Sequence, residues 1–143
     1  PDAVFIDQTG VGAGVVDRLR QLGHSVIGVD AAGRPVTAQP RFLNRRAEMW
    51  WLLADWLRNG GAVPDDAELV SELTAPTYRF DASGRLQLEA KTELKARGLP
   101  SPDKADALAL TFAAPVVRRP VQLPGAAPMG RAAHDYDPYQ QRE

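Results

Sequence analysis

The sequence predicts an α/β fold of short strands alternating with amphipathic helices. Three observations carry it. A strand, a glycine turn, a helix and a second strand follow one another within the first 30 residues. A longer helix with one apolar face follows, and a glycine-turned hairpin precedes the last helix.

In chain order, Val4–Ile6 is a short apolar run followed by Asp7 and the glycines Gly10, Gly12 and Gly14. Val15, Val16, Leu19 and Leu22 recur at helical spacing, with Gly23 as the stop. Val26, Ile27 and Val29 read as a second strand ending at Asp30, so the unit is βαβ with parallel strands. Residues 31–43, with Gly33, Pro35 and Pro40, read as a loop. Asn44 is the expected N-cap of a helix over Arg45–Arg58, its apolar face carrying Trp50, Leu53 and Leu57, with Gly60 and Gly61 ending it. Asp65 or Asp66 opens a short helix through Leu69, Val70 and Leu73. Thr77–Phe80 and Arg85–Leu88 flank Asp81-Ala82-Ser83-Gly84 as a hairpin. Lys91–Arg97 is a basic helical stretch stopped by Gly98. Ser101 as N-cap and Pro102 at the first helical position open the last helix, whose apolar face is expected to be Leu108, Leu110 and Phe112. From Pro115 the period is lost and proline, glycine, arginine and alanine dominate, so 115–143 reads as a disordered tail.

Composition narrows the chemistry. With 143 residues, 44% hydrophobic and 24% charged, the chain has the size and make-up of one globular domain. No apolar run is long enough for a membrane span. With no cysteine and two histidines, a metal would have to be held by carboxylates, which suits Mg or Mn rather than zinc. A formal net charge of −1 argues mildly against a generic nucleic-acid binder, and less so if acids are gathered for a metal.

Three acids are placed where chemistry is done. Asp7 ends a strand, where open α/β sheets put their ligands. Asp103 and Asp106 are three apart at a helix start and share one face. Together they form a candidate oxygen cage for divalent metal, and two such ions hydrolyse phosphodiesters. The bland alternatives are a turn residue at Asp7 and a helix-dipole partner at Asp103. Asp106, set among alanines and leucines, is harder to dismiss. Three mutually repelling carboxylates also imply that Asp106→Asn leaves the metal-free melting temperature unchanged or higher. The glycine turn with Asp30 beyond it imitates a dinucleotide-binding fingerprint, but the spacing is G-x-G-x-G rather than G-x-G-x-x-G. Arg41, Arg45, Arg46, Lys91, Lys95 and Arg97 are read equally as phosphate-facing or solvated. Trp50, Trp51 and Trp56 are read as packing residues, His24 as structural, and His134, Tyr136 and Tyr139 as part of the tail.

The blocks FIDQTGVGAGVVDRLRQLGHSVIGV, NRRAEMWW and RGLPSPDKADALALTF, in that order, resemble the C-terminal nuclease domain of phage and prophage large terminase subunits. The likeness covers roughly residues 1–114. It implies a partial RNase H-like nuclease domain over 1–114, with Asp7 as the second active-site acid and Asp103 and Asp106 as helix-borne acids, as a similar D-x-x-D serves in resolvases of that fold. The family carries its first catalytic Asp on a strand upstream of the segment matching Phe5–Asp7, and an ATPase further upstream. The chain is therefore expected to start after both, and to be inactive on its own. The resemblance further implies Mg or Mn, two divalent ions in the complete domain, and endonucleolytic cleavage of concatemeric double-stranded DNA during packaging. It implies a small terminase subunit and a portal or procapsid as partners of the parent, no membrane, and the bacterial host cytoplasm. Two other readings stay open: an inactive remnant or docking module, and a small nucleotide-binding α/β domain.

Overall fold

The computed structural model describes residues 2–37 and 41–116. Strand β1 (Phe5–Asp7), helix α1 (Gly12–Gln21) and strand β2 (Ile27–Val29) form the expected βαβ unit. The strands are parallel, pairing Phe5 with Ile27, Ile6 with Gly28 and Asp7 with Val29. Helix α1 starts one turn earlier than the apolar spacing predicts, directly on the glycine turn. A Cβ at Gly12 would collide with the Asp7 carbonyl oxygen, so the helix approaches the strand end only because residue 12 has no side chain. Gly10 supplies the left-handed step before it, at φ 62°. Gly23, at φ 82°, ends the helix as read from the sequence.

Helix α2 (Arg45–Arg58) is capped by Asn44, whose side-chain oxygen accepts the Ala47 N–H at 3.0 Å. Its next donors reach back to the loop after β2: Arg45 N–H to Gly33 carbonyl and Arg46 N–H to Ala31 carbonyl, both 2.8 Å. The buried Glu48 carboxylate holds the same loop through the N–H groups of Val36 and Thr37 at 2.9 Å and pairs with Arg45. Arg45 also donates to the Ala113 carbonyl. It is 8% exposed and structural, so it drops out of the phosphate-facing set.

Asp66 caps α3 (Ala67–Thr74). Strands β3 (Tyr78–Phe80) and β4 (Leu86–Leu88) form the predicted antiparallel hairpin, and Leu86 also bridges to Phe42. Helix α4 (Lys91–Ala96) ends at Gly98, φ 78°.

Helix α5 (Asp103–Leu110) departs from expectation in two ways. Ser101 does not cap it; Pro102 stands at the N-cap without a side-chain acceptor. The acceptor comes from another helix, since the buried Glu72 of α3 takes the Ala105 N–H at 2.9 Å. Its buried residues are Ala105 and Ala109, continued by Ala113 just past the helix end, while Leu108, Leu110 and Phe112 are only half-buried. Alanines four apart let α5 lie close against α2, and Met49, Trp50 and Leu53 fill the seam with Val29 and Leu69. A second cluster, Phe42, Ala47 and Leu86, ties the hairpin to α2. No helix among the described residues is long and apolar enough to cross a membrane. The expected tail, with His134, Tyr136 and Tyr139, lies outside the described residues except for Pro115 and Val116.

Candidate active site

Two of the three acids predicted from sequence meet at one place. Asp7 and Asp106 line a small cavity of about 50 Å³ with Arg46, Trp50 and Lys91. It adjoins a larger one of about 480 Å³, walled by Asp7, Thr9, Asn44, Arg46, Gln87 and Lys91. The β1 end brings Asp7, the first turn of α5 brings Asp106, the start of α2 brings Arg46 and Trp50, and the start of α4 brings Lys91. Asp103 lines neither cavity: its side chain is 80% exposed, 3.7 Å from the Lys91 ammonium at the outer edge.

Asp7 is exposed, and its Oδ1 folds back to accept the Thr9 N–H at 2.9 Å, one of the donors that a phosphate-cradling glycine turn offers. Asp30 does the same at the end of β2, accepting the Ala32 N–H at 3.0 Å. The Asp106 side chain is only 17% exposed and fully engaged. Its Oδ1 accepts from Trp50 Nε1 at 2.8 Å and Arg46 Nε at 3.1 Å, and its Oδ2 faces Lys91 Nζ at 2.8 Å. Mutual repulsion among carboxylates, expected from the sequence, is therefore not what governs Asp106; it sits among three donors, two of them cations. Arg46 is anchored in turn by the Glu89 carbonyl at 2.9 Å, and its Nη2 is buried without a hydrogen-bond partner. The buried Glu89 carboxyl lies below the ordinary glutamate value. The Thr77 N–H and the Arg97 guanidinium hold it there, outweighing the opposing effect of burial.

Sequence reasoning missed the indole of Trp50 as a hydrogen-bond donor to the site. It also missed Glu72, which fixes the α5 start that carries Asp106. A tryptophan four residues from an arginine on the apolar face of a helix gives no signal of its own; the fold creates the contact.

A divalent ion fits this donor set in kind. Asp7 and Asp106, both hard-oxygen residues, line one cavity, and the Lys91 ammonium shows that a cation can sit on Asp106. It does not fit in number, because among the described residues no three Asp, Glu or His side chains gather to hold an ion.

No family model matches the chain, and no curated protein matches it. Solved structures do. A lysine-to-alanine variant of the nuclease domain of the large terminase subunit gp2 of bacterial virus Sf6, with manganese and beta-thujaplicinol, matches with a TM-score of 0.67. The identity is 27%, over 80% of this chain and 66% of that one. The calcium form of the same variant, from bacteriophage Sf6, gives 0.61 at 26% identity, and the unsubstituted domain 0.60 at 27%, with the same coverage. The chain thus spans 66% of the length of those domains. In fold and in sequence, then, this chain is similar to the nuclease domain of a phage large terminase subunit.

Proposed function

We propose that the chain is the nuclease portion of a DNA-packaging terminase, cutting concatemeric double-stranded DNA with Mg or Mn in an RNase H-like domain over residues 1–114. The observation that carries the reading is the shared cavity of Asp7 and Asp106, flanked by Lys91 and Arg46, in a fold similar to a terminase nuclease domain. A divalent ion, if held there by Asp7, Asp106 and a further acid, would supply Lewis-acid activation of water and charge stabilisation for phosphodiester hydrolysis. Asp7 and Asp106 are the ligands the chain offers, and Asp103 stands at the rim. Trp50 and Arg46 fix the Asp106 rotamer, so the carboxylate is pre-oriented at no entropic cost when substrate arrives. Lys91 faces the same cavity and attracts the phosphate backbone. The two carboxylates found together among the described residues are fewer than a two-metal centre needs, and a further acid, on the strand that the resemblance implies upstream of Phe5–Asp7, completes it. The small terminase subunit, the portal and the host cytoplasm enter as partners and setting of the parent protein.

A plasmid-nicking assay across Mn, Mg and Ca tests this. The 143-residue chain is expected to nick poorly or not at all, and a longer protein including the upstream segment is expected to cut. Asp7→Ala in that longer protein should abolish cutting, since loss of one ligand removes several kcal/mol, about three decades in rate. Persistent cleavage by that variant removes Asp7 from the site. Full activity of residues 1–143 alone removes the further acid.

A further inference from the structure

We propose that Arg41, Trp51 and Arg58 form a DNA-backbone contact surface in addition to the acid cavity. This rests on the nuclease reading and adds a binding surface to it. The guanidinium of Arg41 lies 4.4 Å from the Trp51 ring centroid and 5.4 Å from that of Phe42, and the guanidinium of Arg58 lies 5.1 Å from Trp51. Both arginines are exposed. Among the described residues neither has a carboxylate within ion-pair distance, whereas Arg45, Arg46, Arg79, Arg85 and Arg97 are each paired with one.

Two like charges held against one indole repel each other, and among the described residues no ion pair offsets that repulsion. Contact with the indole face holds each guanidinium at the surface, where its N–H groups can make a forked contact with phosphate oxygens. Arg58 and Trp51 are linked to the proposed active site through shared wall residues. Trp51 and Arg58 line a cavity of about 140 Å³ whose wall includes Trp50 and Leu88. Trp50 also lines the small acid cavity, and Leu88 the large one. Arg46 at the acid cavity and Arg58 stand on the same helix, about 18 Å apart along its axis, a separation that one bound duplex can span. That charge is local, in a chain whose net charge is −1.

The test is fluorescence anisotropy of a labelled DNA duplex with the 143-residue chain, titrated over a KCl series without divalent metal. Each neutralised phosphate contributes about 0.9 to the slope of log affinity against log salt. Arg41→Gln/Arg58→Gln is expected to lower that slope by about 1.8 and to weaken low-salt binding by about tenfold or more. Each single replacement should give about half the slope change, which keeps the result readable if the double variant folds poorly. An unchanged slope in variants that still bind overturns the surface and leaves the nuclease reading standing. A wild-type chain that binds no duplex at low salt overturns both. Equal weakening toward duplex and poly-glutamate, without a slope change, assigns the arginines to an acidic protein partner and overturns the DNA contact.

Discussion

The Lys91 ammonium lies 2.8 Å from Asp106 Oδ2, joining the first turn of α4 to the first turn of α5 over the cavity that Asp7 lines. The carboxylate most strongly marked by the sequence is thus held by cations of its own chain. With Arg46 and Trp50 on its other oxygen, both oxygens of the carboxylate are engaged.

This reverses the stability expectation for Asp106→Asn. The amide keeps one oxygen for Trp50 or Arg46 but removes the charge that balances Lys91 and Arg46. The cost should be about 1–3 kcal/mol, in the range for breaking a charge-assisted bond with one partner left behind. Urea unfolding without metal measures it. A variant as stable as wild type, or more so, restores repulsion among acids as the governing effect.

Glu72 gives a second, independent handle on the same helix. Its Oε2 accepts the N–H of Ala105, a residue with no exposed surface, so Glu72→Ala leaves a buried donor unmet at the start of α5. The expected loss is about 1–2 kcal/mol, as for removal of a helix cap. Glu72→Gln keeps an acceptor oxygen and should lose distinctly less. Equal losses in the two variants point to packing of the side chain rather than capping.

Stability should fall in acid, with Glu48 as a named cause. Burial pushes its carboxyl up, but the Val36 and Thr37 N–H groups, the Thr37 hydroxyl and Arg45 outweigh it and hold it below the ordinary glutamate value. A depressed carboxyl stabilises the fold fully above its unfolded value, about pH 4.3. The contribution is lost as pH falls through the lower folded value. Glu89, held low by Thr77 and Arg97, acts in the same direction. Wild type should therefore exceed Glu48→Gln in unfolding free energy at pH 7, and the gap should shrink below about pH 4. A gap that is constant with pH excludes Glu48 as a source of the acid sensitivity.

The parts of the fold written locally were legible in the sequence. Asn44, Asp66, Gly23, Gly60 and Gly98 mark helix ends by short-range chemistry, and the structure puts the ends there. The start of α5 was misread because its cap comes from Glu72, 33 residues away, and no local pattern encodes that. The face of α5 was misread because hydrophobicity favours leucine, whereas close helix packing selects Ala105, Ala109 and Ala113 for size. At the site, the positions of Asp7 and Asp106 could be read from element ends. The donors around Asp106 come from α2 and α4, so tertiary packing alone reveals them.

The final prediction follows from Lys91 competing for Asp106. A divalent ion bound between Asp7 and Asp106 must share Oδ2 with the ammonium or displace it, and like charges at that range disfavour each other by more than a kcal/mol. Lys91→Met removes the cation and keeps the length of the side chain. Its affinity for Mn, measured calorimetrically, should rise by about tenfold or more. Lys91→Arg keeps the charge and should bind Mn as weakly as wild type. The gain in metal binding need not bring a gain in cutting, because Lys91 is also the cation proposed to attract the phosphate backbone. In the longer, cleavage-competent protein, Lys91→Met should bind Mn more tightly and cut more slowly. If Lys91→Met leaves Mn affinity unchanged, the ion does not use Asp106 Oδ2, and the metal site has to be sought around Asp7 without it.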